Sequence, residues 1–110
     1  MNESEFNDLV DETLEQIEET LDEAETDIDV QLGGGILTII CENRSQLIFT
    51  RQTPVKQLWL ATRSGGFHFD YDDKQGSWVL DSDGQRLDTF LSNAYADQAG
   101  ETLEFSLTGS

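Results

Sequence analysis

The sequence is poor in everything that staples, spans or punctuates a chain. Of 110 residues, one is Cys, one Pro, one Met and one His. A single cysteine, Cys41, cannot close an internal disulfide, which points to a reducing compartment. No apolar run approaches the roughly 20 residues that cross a bilayer. The opening "MNESEFNDLV" lacks the basic region and apolar run of a secretory leader and the Arg-rich bias of an organellar one. A soluble, cytoplasmic protein is therefore expected. The sharpest shortage is of positive charge. Six Lys and Arg face 23 Asp and Glu, a net charge of −17. None of the six lies in residues 1–29, which hold 13 of the acids; residues 30–110 hold the other 10 acids and all 6 basic residues, a balance of −4. A field of that sign argues against nucleic acid and anionic membrane as partners. It favours cations or a protein with a basic surface.

What is present is enough for a folded core. Two Trp, two Tyr and six Phe join a good supply of Leu, Ile and Val, so the chain does not read as disordered. Its length fits one domain, residues 1–110, that needs no disulfide or structural metal. Residues 4–24 have helical period: Phe6, Val10, Leu14, Ile17 and Leu21 form the apolar stripe, with Leu9 beside it and Ser4 as N-cap. At "DIDVQL" the period changes to two, with Ile28, Val30 and Leu32 alternating against Asp27, Asp29 and Gln31. "GGG" at 33–35 turns the chain into a second strand, "ILTIICE". "QLIFTRQ", closed by Pro54, then "KQLWLAT", "FHFDY" and "SWVLD" follow as strands three to six. "SDG" at 82–84 introduces a second helix over about 84–96, with Leu87, Phe90, Leu91 and Ala94 on one face. "ETLEFSL" is expected to pack back as a tail or short strand. Helix, meander, helix predicts an α+β two-layer sandwich. Both helices should cover one face of an antiparallel sheet of about six strands and leave the other face in water.

Two surfaces carry chemistry. On the first helix Glu15, Glu18, Glu19, Asp22 and Glu23 are linked by three- and four-residue steps, which put neighbouring Cβ atoms roughly 5–6 Å apart. Two or three such carboxylates can share a hard cation with several waters. Glu25, and Asp27 and Asp29 on the following strand, extend the series. Oxygen-only ligation suits Mg²⁺, Ca²⁺, Mn²⁺ and iron alike, and the simpler reading is a solvated acidic face. The second surface is the open face of the sheet. If Leu58 and Leu60 pack under the helices, Gln57 and Trp59 point to water, as do His68 and Asp70 opposite Phe67 and Phe69. Gln52 joins them at the end of the third strand. An exposed Trp ringed by Gln and His is a protein-binding anchor, and His68 could also offer a weakly held metal one nitrogen. Trp78 and Cys41 are expected in the core.

"RQTPVKQLWLAT", then "GGFHFD", then a Trp and "SDG" before a helix, resembles the frataxin family, and within it the bacterial CyaY branch. The resemblance covers nearly the whole chain. It implies two helices over an antiparallel sheet and a non-enzymatic role in iron–sulfur cluster assembly. It further implies weak binding of Fe(II) and Fe(III) by acids of the first helix and adjoining strand: Glu15, Glu18, Glu19, Asp22, Glu23, Glu25, Asp27 and Asp29. The implied partner is the cysteine desulfurase, met by the acidic ridge and by Gln52, Gln57, Trp59 and His68. The protein would be iron donor or iron-dependent regulator, as a monomer or as oligomers that form with iron. Two other readings stay open. One is a ferroxidase, although the inward E-x-x-H pattern of such centres is missing. The other is an acidic adaptor that binds a basic protein without metal.

Overall fold

The stripe Phe6, Val10, Leu14, Ile17 and Leu21 is buried along its whole length, and it carries helix α1, Glu3–Glu23. The computed structural model describes residues 1–24, 28–105 and 107. The cap is Asn2, two residues before the expected Ser4. Asn2 Oδ1 accepts from the Glu5 backbone N–H at 2.8 Å, and Glu5 Oε1 accepts from the Asn2 N–H at 3.2 Å. This reciprocal bond needs an acid or amide acceptor three residues on that is free to fold back. Ser4 has Asn7 at that place, and Asn7 is engaged by Arg51, so Ser4 lies inside the first turn.

Six strands follow as a plain antiparallel meander: β1 Asp29–Gly33, β2 Ile36–Ile40, β3 Gln46–Gln52, β4 Gln57–Thr62, β5 Gly65–Asp72 and β6 Ser77–Leu80, paired in chain order. The β1–β2 turn holds Gly34 and Gly35 at φ +61° and +76°, a pair of left-handed residues that suits the twist of a two-residue hairpin. A Cβ at position 35 would also stand 3.1 Å from Arg51 Nε. Pro54 sits in a short 3-10 turn, Thr53–Val55, which ends β3 and lets β4 return.

Leu37, Ile39, Leu47, Phe49, Leu58, Leu60, Phe69, Trp78 and Leu80 are buried on one sheet face. Helix α1 and a second helix, α2 (Leu87–Ala99), cover that face. The buried indole of Trp78 donates to Thr13 Oγ1 at 2.9 Å, tying β6 to α1 without stranding a polar group. Cys41 is buried. Helix α2 spans Leu87–Ala99, three residues later than expected. The backbone of the expected first turn is spent on a turn that pairs back to β6: Leu80 N–H donates to Gln85 O, Gly84 N–H donates to Leu80 O, and Arg86 bridges to Val79. The shifted helix buries Leu87, Leu91, Tyr95 and Gln98, while Phe90 and Ala94 are half-buried. Phe105 and Leu107 of the tail close the core beside α2, and among the described residues the tail forms no strand.

Candidate functional site

Because α1 turns its apolar stripe to the sheet, all of Asp8, Asp11, Glu12, Glu15, Glu18, Glu19, Asp22 and Glu23 fall on the opposite side. Glu15, Glu19, Asp22 and Glu23 are exposed and Glu18 is half-buried. Among the described residues, Asp11 is the one α1 carboxylate in an ion pair; it meets Arg51, which also donates to Asn7 Oδ1. Arg51 is one of the six basic residues of the chain. It reaches from the sheet because its place on β3 turns it toward the helices, opposite Leu58. No basic residue stands in the last turn of α1, so Asp22 and Glu23 also face the negative end of the helix dipole. Among the described residues no three acids, His or Cys converge on one point. The ridge is therefore a file of neighbouring carboxylates, suited to two-point contact with a hydrated cation and not to a closed cage.

Asp29 is exposed, but on the other side of the sheet. Its register partner is Ile40, whereas Val30 pairs with the buried Ile39. A period of two then sends Asp29 to the open face. Glu25 and Asp27 lie outside the described residues.

The open face is built around Trp59. Directly across the β4–β5 ladder lies His68, and the rings stack at 4.2 Å and 16°. Trp59 Nε1 donates to Gln57 Oε1 at 3.0 Å, and Gln57 Nε2 donates to Asp70 Oδ1 at 3.1 Å. Gln52 lies opposite Gln57 on β3. His68 Nδ1 stands 3.7 Å from Asp81 Oδ2. So the fold does bring Gln52, Gln57, Trp59 and His68 together on one side. Trp59 is half-buried because it lies flat on its neighbours and not because it enters the core. Asp81 completes the site: it ends the segment "SWVLD" just past β6, its N–H donates to His68 O, and the alternation that sets Val79 opposite Asp70 puts Asp81 on the same open face.

Two groups at the β5–β6 end have shifted acidity. Burial raises Tyr71, with Asp73 and then Glu12 adding to the effect, so the acidic face of α1 is felt across to β5. Asp72 is lowered by the Lys74 backbone N–H, then by Gln75.

These features define a two-layer α+β sandwich with a carboxylate-rich helix, paired to a basic residue only at Asp11 among the described residues, on one side and a pre-stacked Trp–His surface on the other. The chain belongs to the frataxin family: it matches the frataxin-like domain over residues 1–101. It is 48% identical over 105 residues to the iron-sulfur cluster assembly protein CyaY of Pseudomonas aeruginosa, across 96% of this chain and 97% of that one. The fold is similar to a frataxin from Psychromonas ingrahamii, with a TM-score of 0.89, 42% identity, and 96% and 99% of the two chains covered. A trimeric frataxin from the yeast Saccharomyces cerevisiae, complexed with ferrous iron, is similar at a TM-score of 0.72 and 27% identity, over 84% of this chain and 87% of that one.

Proposed function

We propose that this protein is an iron-binding component of iron–sulfur cluster assembly. On this reading it supplies iron to the cysteine desulfurase complex or regulates the desulfurase in response to iron, acts by binding and not by catalysis, and works as one domain over residues 1–110. One observation carries the reading: Glu15, Glu18, Glu19, Asp22 and Glu23 form a file with no Lys or Arg paired to them among the described residues. Like charges at i,i+4 oppose the helix, and a mobile cation or a basic partner would relieve that repulsion. Open, two-carboxylate contact gives a labile site that releases its metal easily, as a donor or sensor requires. The names of the relatives support iron as the cation, since carboxylate spacing alone does not choose iron over calcium. Gln52, Gln57, Trp59 and His68 are read as the second contact with the desulfurase.

The test is a titration of the desulfurase with and without Fe(II), using wild type, Trp59→Ala and a variant with Glu18, Glu19 and Asp22 each changed to Lys. The expected result is weaker binding by both variants and loss of the Fe(II) effect in the charge-reversed one. Full binding by the charge-reversed variant would remove the ridge from the mechanism.

A further inference from the structure

We propose that the outer edge of β1 takes an extended, basic segment of a partner protein as an added strand. β1 ends the sheet, and among the described residues no strand pairs with its outer side. An edge strand presents a row of unpaired N–H and C=O groups, which proteins usually guard with Lys, Pro or a bulge. β1 reads "DVQLG" and has neither Lys nor Pro. A hollow of about 620 Å³ runs along this edge. Its lining residues belong to both sheet faces: Glu18, Val30 and Leu32 to the helix side, and Gln31, Ile36 and Thr38 to the open side. A site that straddles an edge in this way has the shape left by a missing strand. Leu32 and Ile36 are 40% and 43% exposed, two of the four large apolar side chains so exposed in the described chain.

Charge decides the occupant. A second copy of this chain would bring two −17 molecules together with Glu18 and its acidic neighbours close to the join. A segment alternating Lys or Arg with β-branched residues fits both faces. Its basic stems would lie over Leu32 with their heads at Glu18, and its β-branched side chains would stand beside Gln31 of β1 on the open face. Main-chain bonds would give the affinity and the alternation the register, the ordinary division of labour in strand addition. The proposal shares the charge complementarity of the reading above but needs neither iron nor the desulfurase. Its test uses neither, so each can fail alone.

The probe is an eight-residue peptide alternating Lys with Val and Thr, compared with a scrambled peptide of the same composition. Two further peptides carry N-methyl groups on alternate residues, one set on the even positions and the other on the odd. The protein is the full chain, followed by amide hydrogen exchange and calorimetry. The alternating peptide should slow exchange within Asp29–Gly33. One N-methylated peptide should bind about tenfold more weakly than the other, because only one set of N–H groups can face the ladder. Glu18→Lys and Leu32→Lys should each weaken binding by a similar factor while leaving the far-UV spectrum unchanged. Equal binding by the alternating and scrambled peptides, or by both N-methylated ones, would reduce the effect to charge alone and overturn the proposal. Protection at the Trp59 face would also overturn it, as would peptide-free self-association that Leu32→Lys abolishes.

Discussion

Trp59 and Trp78 are chemically identical and have opposite fates. Trp78 is fully buried, meets Phe6 and Tyr71 edge-on, and spends its N–H on Thr13. Trp59 lies on the open face against His68. Urea unfolding should therefore separate them. Trp78→Ala should lose about 3–5 kcal/mol, whereas Trp59→Ala should lose less than about 1 kcal/mol. A large loss for Trp59→Ala would place it in the core and remove it as a partner anchor. Strand alternation, a local property, together with the family resemblance assigned Trp59 to the open face, while Trp78 was expected in the core as the ordinary place of a strand aromatic. Gln98 is the counter-example. Its buried amide donates to Gln46 O at 2.8 Å, its Oε1 accepts from the Arg63 N–H at 3.2 Å, and its backbone O accepts from Asn43 Nδ2. One side chain thus fastens the end of α2 to two strand turns. Nothing local in "YADQAG" signals this, since every partner lies 35 or more residues away. Gln98→Ala should cost about 1–3 kcal/mol by stranding those groups. Asp72 gives a pH signature. Its carboxyl is held below its ordinary value in the folded state. Its contribution is therefore present above about pH 4 and lost as pH falls through the lower folded value. Asp72→Asn should flatten that acid limb in melts taken from pH 5 to pH 2, and an unchanged limb would refute the assignment.

At the scale of elements, α1 combines a well-made start with a poorly compensated body. Its capping box is complete, and Asn2→Ala should cost about 1 kcal/mol in thermal or urea unfolding. Along the body there are five acid pairs at i,i+4, from Asp8–Glu12 to Glu19–Glu23. At about 0.2–0.5 kcal/mol each they oppose the helix by roughly 1–2.5 kcal/mol. The helix persists because its other face buries five large apolar side chains and Thr13. The same contrast explains which element bounds were legible. Each strand fell on its expected segment because side-chain alternation and Gly or Pro turns agree there, although the ends moved by up to two residues: β5 begins at Gly65, two before "FHFDY", and β2 stops at Ile40. The start of α2 did not, because "SDG" is good cap chemistry and equally good turn chemistry, and pairing of residues 84–86 back to β6 favoured the turn. The ridge itself was legible as a helix face, but its continuation onto β1 was not. Whether Asp29 joins the ridge depends on which side of β1 faces α1, and that is fixed by the pairing of Val30 with Ile39.

For the whole molecule, the question is how far the charge acts. The protein measures 37 × 28 × 23 Å, while the Debye length is about 8 Å at physiological salt. Repulsion between ridge neighbours roughly 5–6 Å apart is only partly screened, but repulsion between the ridge and the far side of the molecule is almost wholly screened. The destabilising field is therefore local to α1, even though the net charge is −17. Raising NaCl from low concentration to about 1 M, where the screening length falls to about 3 Å, should raise the melting temperature. Most of that rise should come from the ridge. Glu19→Gln with Asp22→Asn should shrink it markedly, whereas Asp83→Asn with Glu101→Gln removes the same charge from exposed sites elsewhere and should leave it nearly intact. Equal shrinkage by the two pairs would mean that total charge sets stability. Cation binding sharpens the comparison. Millimolar Fe(II) or Ca²⁺ should raise the melting temperature beyond matched ionic strength in wild type and not in the Glu19/Asp22 variant, since screening depends on ionic strength whereas two-point contact needs those carboxylates. A cation effect no larger than that of matched NaCl would leave the ridge a partner surface without a metal.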